Sequence, residues 1–544
     1  MQGAFLPTHG TQGIEIVFLL LLLFVVVFGM LARKLAIAYP IVLVIAGLLL
    51  SFVPGIPKIN LDPDLVFFVI LPPLLYSAAW LTSWREFSYN LVSICLLAFG
   101  LVAFTIFGVT QAGQWFLPGF DWRVGLVLGA IVAPTDAIAA TSISKRLGLP
   151  RRLVDILEGE SLLNDASALL ALEFGVSLLV SGHVPTFREG ALRLGYLTVV
   201  GIAIGLGVGE IVHLVEHWID DGPIEIALSI LTPYAAYLVA DFMRASGVLA
   251  VVACGLYLSR KSSHFFSPTV RLQAWSVWDA LTFILNGLVF VLIGLQLPYI
   301  MDAIRDHNLH TLILYSLAFS GFLILLRLLW MFPGAFLANI IRTRLLHQDE
   351  ALPPARNIFI IGWTGMRGVV SLAAAIALPH TLANGAPFAQ RNMVVFLAFS
   401  VILVTLVLQG LTLPPLIRIL GVAGATTGHR AEEKEARRAI LQAALNYLEK
   451  ARAESGEQKA EAHEDLAQHY RHRLASLAEK DEVGPDDIDP NFYRYFNDLS
   501  RELLRVERQT AVLLRNQRRI SDELLREIER EIDLGEARLI AKSK

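Results

Sequence analysis

A polar helix face interrupts an otherwise apolar part of this sequence. The segment EGESLLNDASALLALEFG runs from position 158 to 175 and contains four carboxylates. In a helix, Ser161, Asn164 and Asp165 lie on one face, because residues three and four positions apart are neighbours. Hydroxyl, amide and carboxylate oxygens on one face can bind a cation or exchange a proton.

The free-energy cost of placing a carboxylate in a membrane limits the roles that these four residues can have. An uncompensated carboxylate in a membrane-spanning helix costs roughly 2.5–3.5 kcal/mol on insertion scales, so it is expected to face a water-filled path or a partner. Glu160 lies beside Asn164 at the edge of the polar face, and an internal salt bridge would account for it. Asp165 has no evident cationic partner in the sequence. Glu158 is expected to be solvated, and Glu173 has no assigned role.

A proline interrupts the preceding apolar segment, GLVLGAIVAPTDAIAATSIS. Pro134 has no amide hydrogen and crowds the carbonyl four residues earlier, so carbonyl oxygens near Ala130 lose their intrahelical donors. Such backbone is tolerated within a membrane only where it lines a cavity or is buried in protein. Thr135 and Asp136 lie at this break and, with the carbonyls, suit a hard monovalent cation. The simpler alternative is a kinked helix in which Asp136 bonds to a neighbour.

Two arginines lie inside apolar segments and require compensation. Arg367 is flanked by glycines in GWTGMRGVVS, so its helix can also break. Arg327 lies within LLRLLWMF. We expect Arg327 to pair with Glu160 and Arg367 to balance the two helix breaks, and we expect both roles to be structural.

The pentapeptide HLVEH, at positions 213–217, has the spacing of an inverted zinc-protease helix. His213 and His217 would lie on one helix face, with Glu216 as the general base. The motif lies where an apolar segment ends, and no further ligand is evident in the sequence. An intramembrane zinc protease is therefore a less favoured alternative.

The composition is that of a membrane protein with a water-soluble extension. Of 544 residues, 55% are hydrophobic and 17% are charged, less charge than a soluble protein of this length carries. The net charge of −3 gives no indication of nucleic-acid binding, and the two cysteines predict neither a disulfide nor a metal site. We predict a transmembrane domain over residues 1–424 and a charged α-helical tail over 425–544.

Thirteen apolar segments are candidate membrane spans of roughly 20 residues, some of them shorter or broken. They begin near Ile14, Leu35, Leu65, Leu91, Val124, Leu157, Leu194, Glu225, Gly247, Val277, Thr311, Ile358 and Asn392. Pro72 and Pro73 are expected to interrupt the third, and the first is interpreted as a retained helix. Lys and Arg concentrate in alternate loops, which places the N-terminus outside and the tail in the cytoplasm.

The breaks at Pro134 and Arg367 fall in the fifth and twelfth candidate spans. An odd offset of seven spans gives the two broken helices opposite orientation, as in transporters built from inverted repeats. We therefore predict an all-α polytopic membrane protein with two inverted six-helix repeats and crossed broken helices. In the tail, RAILQAALNYLEKA, LLRVERQTAVLL and SDELLREIEREI predict amphipathic helices separated by DEVGPDDIDPN.

Five motifs in chain order carry a family resemblance: LPPLLYSAAW (71–80), APTDAIA (133–139), EGESLLNDA (158–166), SGVLAVVACGL (246–256) and GMRGVVSLA (365–373). Together they resemble the cation–proton antiporter family 1, and bacterial sodium/proton exchangers in particular, over residues 14 to 420. The resemblance implies thirteen helices, with a dimerisation domain and a six-helix core that contains two crossed broken helices.

The resemblance also implies a role for each residue of the polar face. Asp165 would be the carboxylate that binds the ion and the proton, and Asn164 the polar neighbour typical of electroneutral members. Thr135, Asp136 and Ser161 would complete or shape the sodium site.

Two further positions follow from the same resemblance. Glu160 and Arg327 would form the salt bridge of the core. Some members have a glutamate where this chain has Ser77, so ion binding by a carboxylate of the third helix is in doubt here.

The expected activity is exchange of sodium, with lithium as a further candidate, for protons across a bacterial plasma membrane. This exchange would serve pH and sodium homeostasis. Competition of the cation and the proton for one carboxylate predicts a one-for-one, electroneutral exchange without a cofactor. The expected partners are the cation, the proton, membrane lipid and a second copy of the chain, but not nucleic acid. Potassium/proton exchange, a cation channel and a structural or sensory protein remain as alternatives.

Overall fold

The protein is built from helices, as a computed structural model of the chain describes it. The described residues are 11–53, 61–116, 119–181, 186–219, 221–265, 268–305, 308–348, 352–382, 385–422, 426–454, 460–475, 490–517, 525, 528–529, 531–536 and 539. Within them, the β-type pairing is an isolated bridge between Thr381 and Pro387. The chain divides into two compact units, Met1–Gly424 and Ala425–Lys544.

The first part of the larger unit is a series of apolar helices. These are α1 (Thr11–Leu35), α2 (Tyr39–Leu50), α3 (Leu71–Leu81), α4 (Trp84–Tyr89), α5 (Leu91–Cys95), α6 (Val102–Phe116), α7 (Trp122–Val132), α8 (Ala137–Leu147) and α9 (Arg151–Ser181). Short π-helical turns, Leu65–Ile70 and Leu96–Leu101, precede α3 and α6.

The remainder of this unit continues the pattern. Its helices are α10 (Phe187–Glu216), α11 (Gly222–Phe242), α12 (Gly247–Phe265), α13 (Pro268–Leu295), α14 (Leu297–Asp302), α15 (Leu309–Arg344), α16 (Ala355–Trp363), α17 (Val369–Ile376), α18 (Arg391–Val404) and α19 (Gly410–Ile419). A third π-helical turn, Thr405–Gln409, joins α18 to α19.

Long helices of this unit present apolar side chains on their outer faces. Leu19 is 64% exposed and Val199 is 67% exposed, which suits contact with lipid more than with water. Among the described residues, nine helical segments are long and apolar enough to cross a membrane. Two shorter apolar segments, Tyr39–Leu50 and Leu65–Leu81, accompany them. The count of thirteen spans stays a prediction.

Pro72 and Pro73 do not interrupt the third candidate span. The segment is continuously helical from Leu65 to Leu81 and changes from π-helical to α-helical geometry at Leu71. The prolines occupy the first turn of α3, where the missing amide hydrogens disturb the helix least. The Leu71 amide donates to the Val66 carbonyl, and this wider turn accommodates the proline pair.

The helices of the larger unit pack as two groups. One group contains α1, α2, α3 and α10 to α13, and the other contains α5 to α9 and α15 to α19. Between the groups, α2 contacts α8, α3 contacts α9, and α13 contacts α17. The second group therefore contains two helix pairs that are each interrupted in the middle, α7 with α8 and α16 with α17. Both pairs face the first group.

Local sequence explains where the helices at this seam begin and end. Asp121 caps α7, since its carboxylate accepts hydrogen bonds from the Arg123 and Val124 amides at 3.1 and 3.0 Å. The next helix, α8, ends at Gly148, whose φ of 66° is a conformation that glycine adopts without strain. Pro150 follows and directs the chain into α9.

The smaller unit contains charged helices. They are α20 (Thr426–Glu454), α21 (Ala460–Ala475) and α22 (Pro490–Asn516), with α21 packed on both neighbours. Arg508 of α22 pairs with Asp533 at 2.7 Å and with Glu536 at 3.0 Å. The predicted linker DEVGPDDIDPN lies outside the described residues up to position 489, and most of SDELLREIEREI also lies outside them.

Candidate functional site

The two helix breaks lie against each other in the second helix group. Residues 133–136 separate α7 from α8, and residues 364–368 separate α16 from α17. The Asp136 amide donates a hydrogen bond to the Met366 carbonyl at 2.8 Å. Four helix ends therefore meet at one point, where unpaired backbone groups require partners.

An arginine side chain donates hydrogen bonds to the carbonyl end of each of the two broken helices, α7 and α16. Arg367 donates from Nε to the Val132 carbonyl at the end of α7, at 2.9 Å. Arg327 donates to the Ile361 and Gly362 carbonyls of α16, both at 3.2 Å. The negative end of a helix dipole is stabilised by a cation, so both guanidinium groups hold helix ends in place.

A buried hydrogen-bond network joins this point to α9. Arg327 forms a two-pronged salt bridge with Glu160, at 2.5 and 2.9 Å, and both side chains are about 1% exposed. The Thr135 hydroxyl donates to Glu160 at 2.9 Å and accepts from the Asn164 amide at 2.8 Å. Glu160 and Arg327 therefore satisfy each other, and Thr135 ties the first break to α9.

The two amide ends of the broken helices face a carboxylate and a hydroxyl. Asp136 caps α8 by accepting from the Ile138 amide at 2.8 Å. The same carboxylate lies against Gly368 at the start of α17, where an added Cβ would come within 2.6 Å of Asp136 Oδ2. Ser161 accepts from the Ala137 amide at 3.3 Å. Asp136 thus lies at the positive ends of two helices.

Asp165 has a different environment from the other acidic residues. It is 9% exposed and lines a cavity of about 350 Å³, together with Thr135, Asp136 and Ser161. No described residue donates a hydrogen bond to its carboxylate. The neighbouring Asn164 Oδ1 is buried and, among the described residues, also has no hydrogen-bond donor. Both oxygens are available to a ligand.

Other residues of the cavity wall were not assigned from the sequence. Glu158, which was expected to be solvated, is half-buried and lines the cavity, because α9 begins at Arg151 and places it two turns inside the helix. Ser371 lines it as well, and its hydroxyl is buried without a partner among the described residues. Ser371 lies three residues after Gly368 and therefore on the same helix face, and this spacing could have identified it as a wall residue from the sequence.

Two more residues of the wall belong to the first helix group. Asn286 of α13 and Ser77 of α3 both line the cavity. The Ser77 hydroxyl donates to the Leu74 carbonyl of its own helix at 3.0 Å. This part of the wall is mostly apolar, with Ser77 and Asn286 among its polar residues, and it has no carboxylate at position 77.

The previously unassigned Glu173 pairs with Arg193 of α10 at 2.9 Å. Its side chain is 53% exposed, well away from the buried network. Glu173 is thus a surface contact between two helices.

The HLVEH motif is not assembled as a metal site. The His213 and His217 rings lie 4.7 Å apart, but Glu216 is buried whereas His217 is exposed. Among the residues that the structure describes, no three His, Cys, Asp or Glu side chains converge as metal ligands.

Comparison with known protein families decides what class of protein this is. The model of the transmembrane sodium/hydrogen exchanger family matches residues 19–419. The chain belongs to this family. It is accordingly a secondary transporter and not an enzyme, and it carries out sodium/proton antiport with the transported ions as its substrates.

Relatives of the exchanger extend over most of its length. An uncharacterized Na(+)/H(+) exchanger of Mycobacterium tuberculosis is 34% identical, with 98% of each chain covered. The uncharacterized Na(+)/H(+) exchanger YjcE of Escherichia coli is 30% identical over 93% of this chain and 94% of its own. The Na(+)/H(+) antiporter ApNhaP of Aphanothece halophytica is 32% identical over 76% and 75%.

A solved structure has the same fold. The sodium proton antiporter MjNhaP1 of Methanocaldococcus jannaschii matches with a TM-score of 0.56 over 75% of this chain and 99% of its own. Its sequence identity is 20%, so the likeness concerns the fold alone. The exchanger is thus an all-helical integral membrane protein of the antiporter fold.

Proposed function

We propose that Asp165 is the carboxylate at which the exchanger binds sodium and protons in turn. The observation that carries this proposal is the contrast among three acids near the helix breaks. Glu160 is paired with Arg327, and Asp136 caps a helix, whereas Asp165 faces the cavity without a hydrogen-bond donor among the described residues. Only a carboxylate without a permanent partner can exchange one cation for another.

The sodium site is completed by oxygens around Asp165. Ser161 and the second oxygen of Asp136 lie on the same cavity wall. Thr135 already donates once and accepts once, which leaves its hydroxyl one lone pair for a cation. Asn164 lies directly before Asp165, and its side-chain oxygen is available to polarise or bind the ion.

One carboxylate gives an exchange of one sodium for one proton. Deprotonated Asp165 binds the cation, and protonated Asp165 returns the proton. Because Asn164 adds no charge, the site carries the same formal charge whether sodium or a proton is bound. The exchange is therefore electroneutral and serves pH and sodium homeostasis.

The remaining proposals concern how the exchanger is placed in the cell. The alternation of basic loops supports an outside N-terminus and a cytoplasmic tail, and the two compact units support a transmembrane antiporter domain over 1–424 and a tail domain over 425–544. The exposed apolar helices support contact with lipid, and the outer face of α10 offers a surface for a second copy. We place this homodimer in a bacterial plasma membrane, with thirteen spans in two inverted repeats.

Sodium-driven proton flux in proteoliposomes tests the assignment of Asp165. A sodium gradient is applied to vesicles that contain a pH-sensitive dye, first with the unmodified chain and then with Asp165→Asn. We expect Asp165→Asn to reduce flux to the level of protein-free vesicles, because the neutral side chain can neither release a proton nor attract the ion. Glu173→Gln, on the same helix but exposed, should retain normal flux. Normal flux from Asp165→Asn would contradict the proposal that Asp165 binds the ion and the proton.

A broader range of cations is the second candidate. The relative from Bacillus subtilis, 32% identical over 69% of this chain and 57% of its own, is named a sodium, potassium, lithium and rubidium/H(+) antiporter. The same vesicles, tested with sodium, lithium and potassium at several pH values, separate a sodium-selective exchanger from one that also carries potassium.

A further inference from the structure

The first turn of α17 carries a buried serine whose hydroxyl makes no hydrogen bond. Ser371 is 1% exposed, and among the described residues its Oγ has no hydrogen-bond partner. Ser371 lines the cavity of about 350 Å³ that Asp165 also lines. Because a buried hydroxyl without a hydrogen bond costs free energy, the position of Ser371 requires a reason.

The break between α16 and α17 explains why this hydroxyl is unpaired within the protein. A serine inside a helix commonly donates to a carbonyl three or four residues earlier, as Ser77 does to Leu74 at 3.0 Å. For Ser371 these positions are Arg367 and Gly368, which belong to the break. Gly368 has an extended backbone, with φ −123° and ψ −159°. Since no hydrogen bond holds Ser371 in one rotamer, its oxygen can turn toward a ligand in the cavity.

Ser371 lies close to one acid of the proposed sodium site. Gly368 meets Asp136 at the start of α17, where an added Cβ would come within 2.6 Å of Asp136 Oδ2. Ser371 follows on the same helix face, with a rise of roughly 4.5 Å over three residues. The oxygens proposed for sodium binding come from the first break and from α9. Ser371 would add an oxygen from the second broken helix.

We propose that Ser371 is an oxygen ligand of the transported sodium ion, an inference that rests on the proposed function of Asp165. A cation that sheds its water needs protein oxygens on several sides to replace it. A proton on Asp165 needs the carboxylate alone. The Ser371 hydroxyl therefore strengthens the binding of sodium and not of the proton, and it adds no charge to the site.

The test is the rate of sodium-driven proton flux against sodium concentration, measured with the full-length chain in proteoliposomes. We expect Ser371→Ala to raise the KM for sodium about tenfold, as loss of one interaction with a charged group does, and to leave the maximal rate unchanged. The pH at which protons double the KM should stay the same, because the proton does not use the hydroxyl.

Ser320 of α15 provides a matched control. It is also buried, its hydroxyl has no partner among the described residues, and it is not a described lining residue of the cavity. Ser320→Ala removes the same atom from a comparable environment and should leave the KM for sodium unchanged. An equal rise of the KM in Ser320→Ala would overturn the proposal.

A second variant separates the oxygen of Ser371 from the volume of its side chain. Ser371→Cys keeps nearly the same size but replaces the hard oxygen by a soft sulfur, a poor ligand for a hard cation. It should raise the KM as Ser371→Ala does. A normal KM in either variant would overturn the proposal. Loss of flux at every sodium concentration, or a changed pH of half-competition, would assign Ser371 a structural role and overturn it as well.

The outcome for Asp165→Asn separates this inference from the proposed function. Normal flux in Asp165→Asn would contradict the proposed function itself. Loss of flux in Asp165→Asn, together with a normal KM in Ser371→Ala, would contradict only the assignment of Ser371.

Discussion

At the scale of single residues, the acids near the helix breaks of the exchanger are distinguished by their hydrogen-bond partners. Glu160 accepts from both Arg327 and Thr135, and Asp136 accepts from a helix amide. These donors hold the two side chains in fixed roles. Asp165 has no hydrogen-bond donor among the described residues, and for this reason we propose that a mobile ion balances its charge.

The Glu160–Arg327 pair should be a major determinant of stability. Removing one member of a buried pair leaves an uncompensated charge and typically costs about 3–5 kcal/mol. We expect Arg327→Gln to lower the free energy of unfolding by this amount, measured by titration with a denaturing detergent. The double variant Glu160→Gln/Arg327→Gln should recover part of the loss, because no unpaired charge remains.

The exposed Arg193–Glu173 pair provides the control for that measurement. Arg193→Gln should change the free energy of unfolding by less than about 1 kcal/mol, since exposed pairs contribute little. A loss as large as that of Arg327→Gln would show that burial of the pair is not what makes Arg327 important.

The pairing of Arg327 with a carboxylate could be predicted from the sequence, but its second role could not. An intramembrane arginine requires an anion, and Glu160 was the available candidate. The bonds from Arg327 to the Ile361 and Gly362 carbonyls depend on where α16 ends in space. Likewise, no pattern within the sequence predicts that Arg152 and Arg342 both donate to the side-chain oxygen of Asn90.

At the scale of elements, proline predicts a helix break only together with its surroundings. Pro134 is followed by Thr135 and Asp136, which supply partners to the open backbone, and the helix breaks there. Pro72 and Pro73 are flanked by aliphatic residues, and the helix continues with a change of geometry. The contact between Asp136 and Met366 joins positions more than 200 residues apart and could not be read from local sequence.

The close approach of the two breaks should make Gly368 intolerant of substitution. An added Cβ would lie 2.6 Å from Asp136 Oδ2, so either the cap of α8 or the start of α17 has to move. Overpacking of this kind costs about 1–3 kcal/mol. We expect Gly368→Ala to reduce sodium-driven flux by about tenfold or more, measured in proteoliposomes.

Gly321 of α15 provides a matched control for this substitution. A Cβ added there meets no heavy atom within 4 Å, so Gly321→Ala should retain normal flux. Similar losses in both variants would point to a general sensitivity of the helices and not to the crossing of the breaks.

At the scale of the whole molecule, the cavity that Asp165 lines is bounded by two groups of helices. Asp165, Asp136 and Ser371 belong to one group, and Ser77 and Asn286 belong to the other. Apolar periodicity predicted the helices, but the division into groups depends on packing between distant segments. It is this division that places Asn286 and Ser77 opposite the acids.

A single site for both ions has a measurable consequence for the pH dependence of transport. If protons and sodium compete for Asp165, acidification on the sodium side should raise the KM for sodium and leave the maximal rate unchanged. In the acidic limit the KM should rise about tenfold per pH unit, as mass action requires for one proton. The test is the rate of exchange against sodium concentration at several pH values. A falling maximal rate with constant KM would contradict a shared site.

The balance of fixed charges near the helix breaks has a consequence for how the membrane potential would act on the exchanger. Glu160 and Arg327 form a buried ion pair, Asp136 accepts from a helix amide and Arg367 donates to a helix carbonyl, so the formal charges of these four side chains sum to zero. The potential acts on net charge, at about 2.3 kcal/mol per elementary charge per 100 mV. If Asp165 is neutralised by either sodium or a proton, as we propose, no net charge is left for the potential to move. Under the proposed one-for-one exchange at Asp165, the membrane potential would do no work on the loaded site, and ion gradients alone would set the direction of transport.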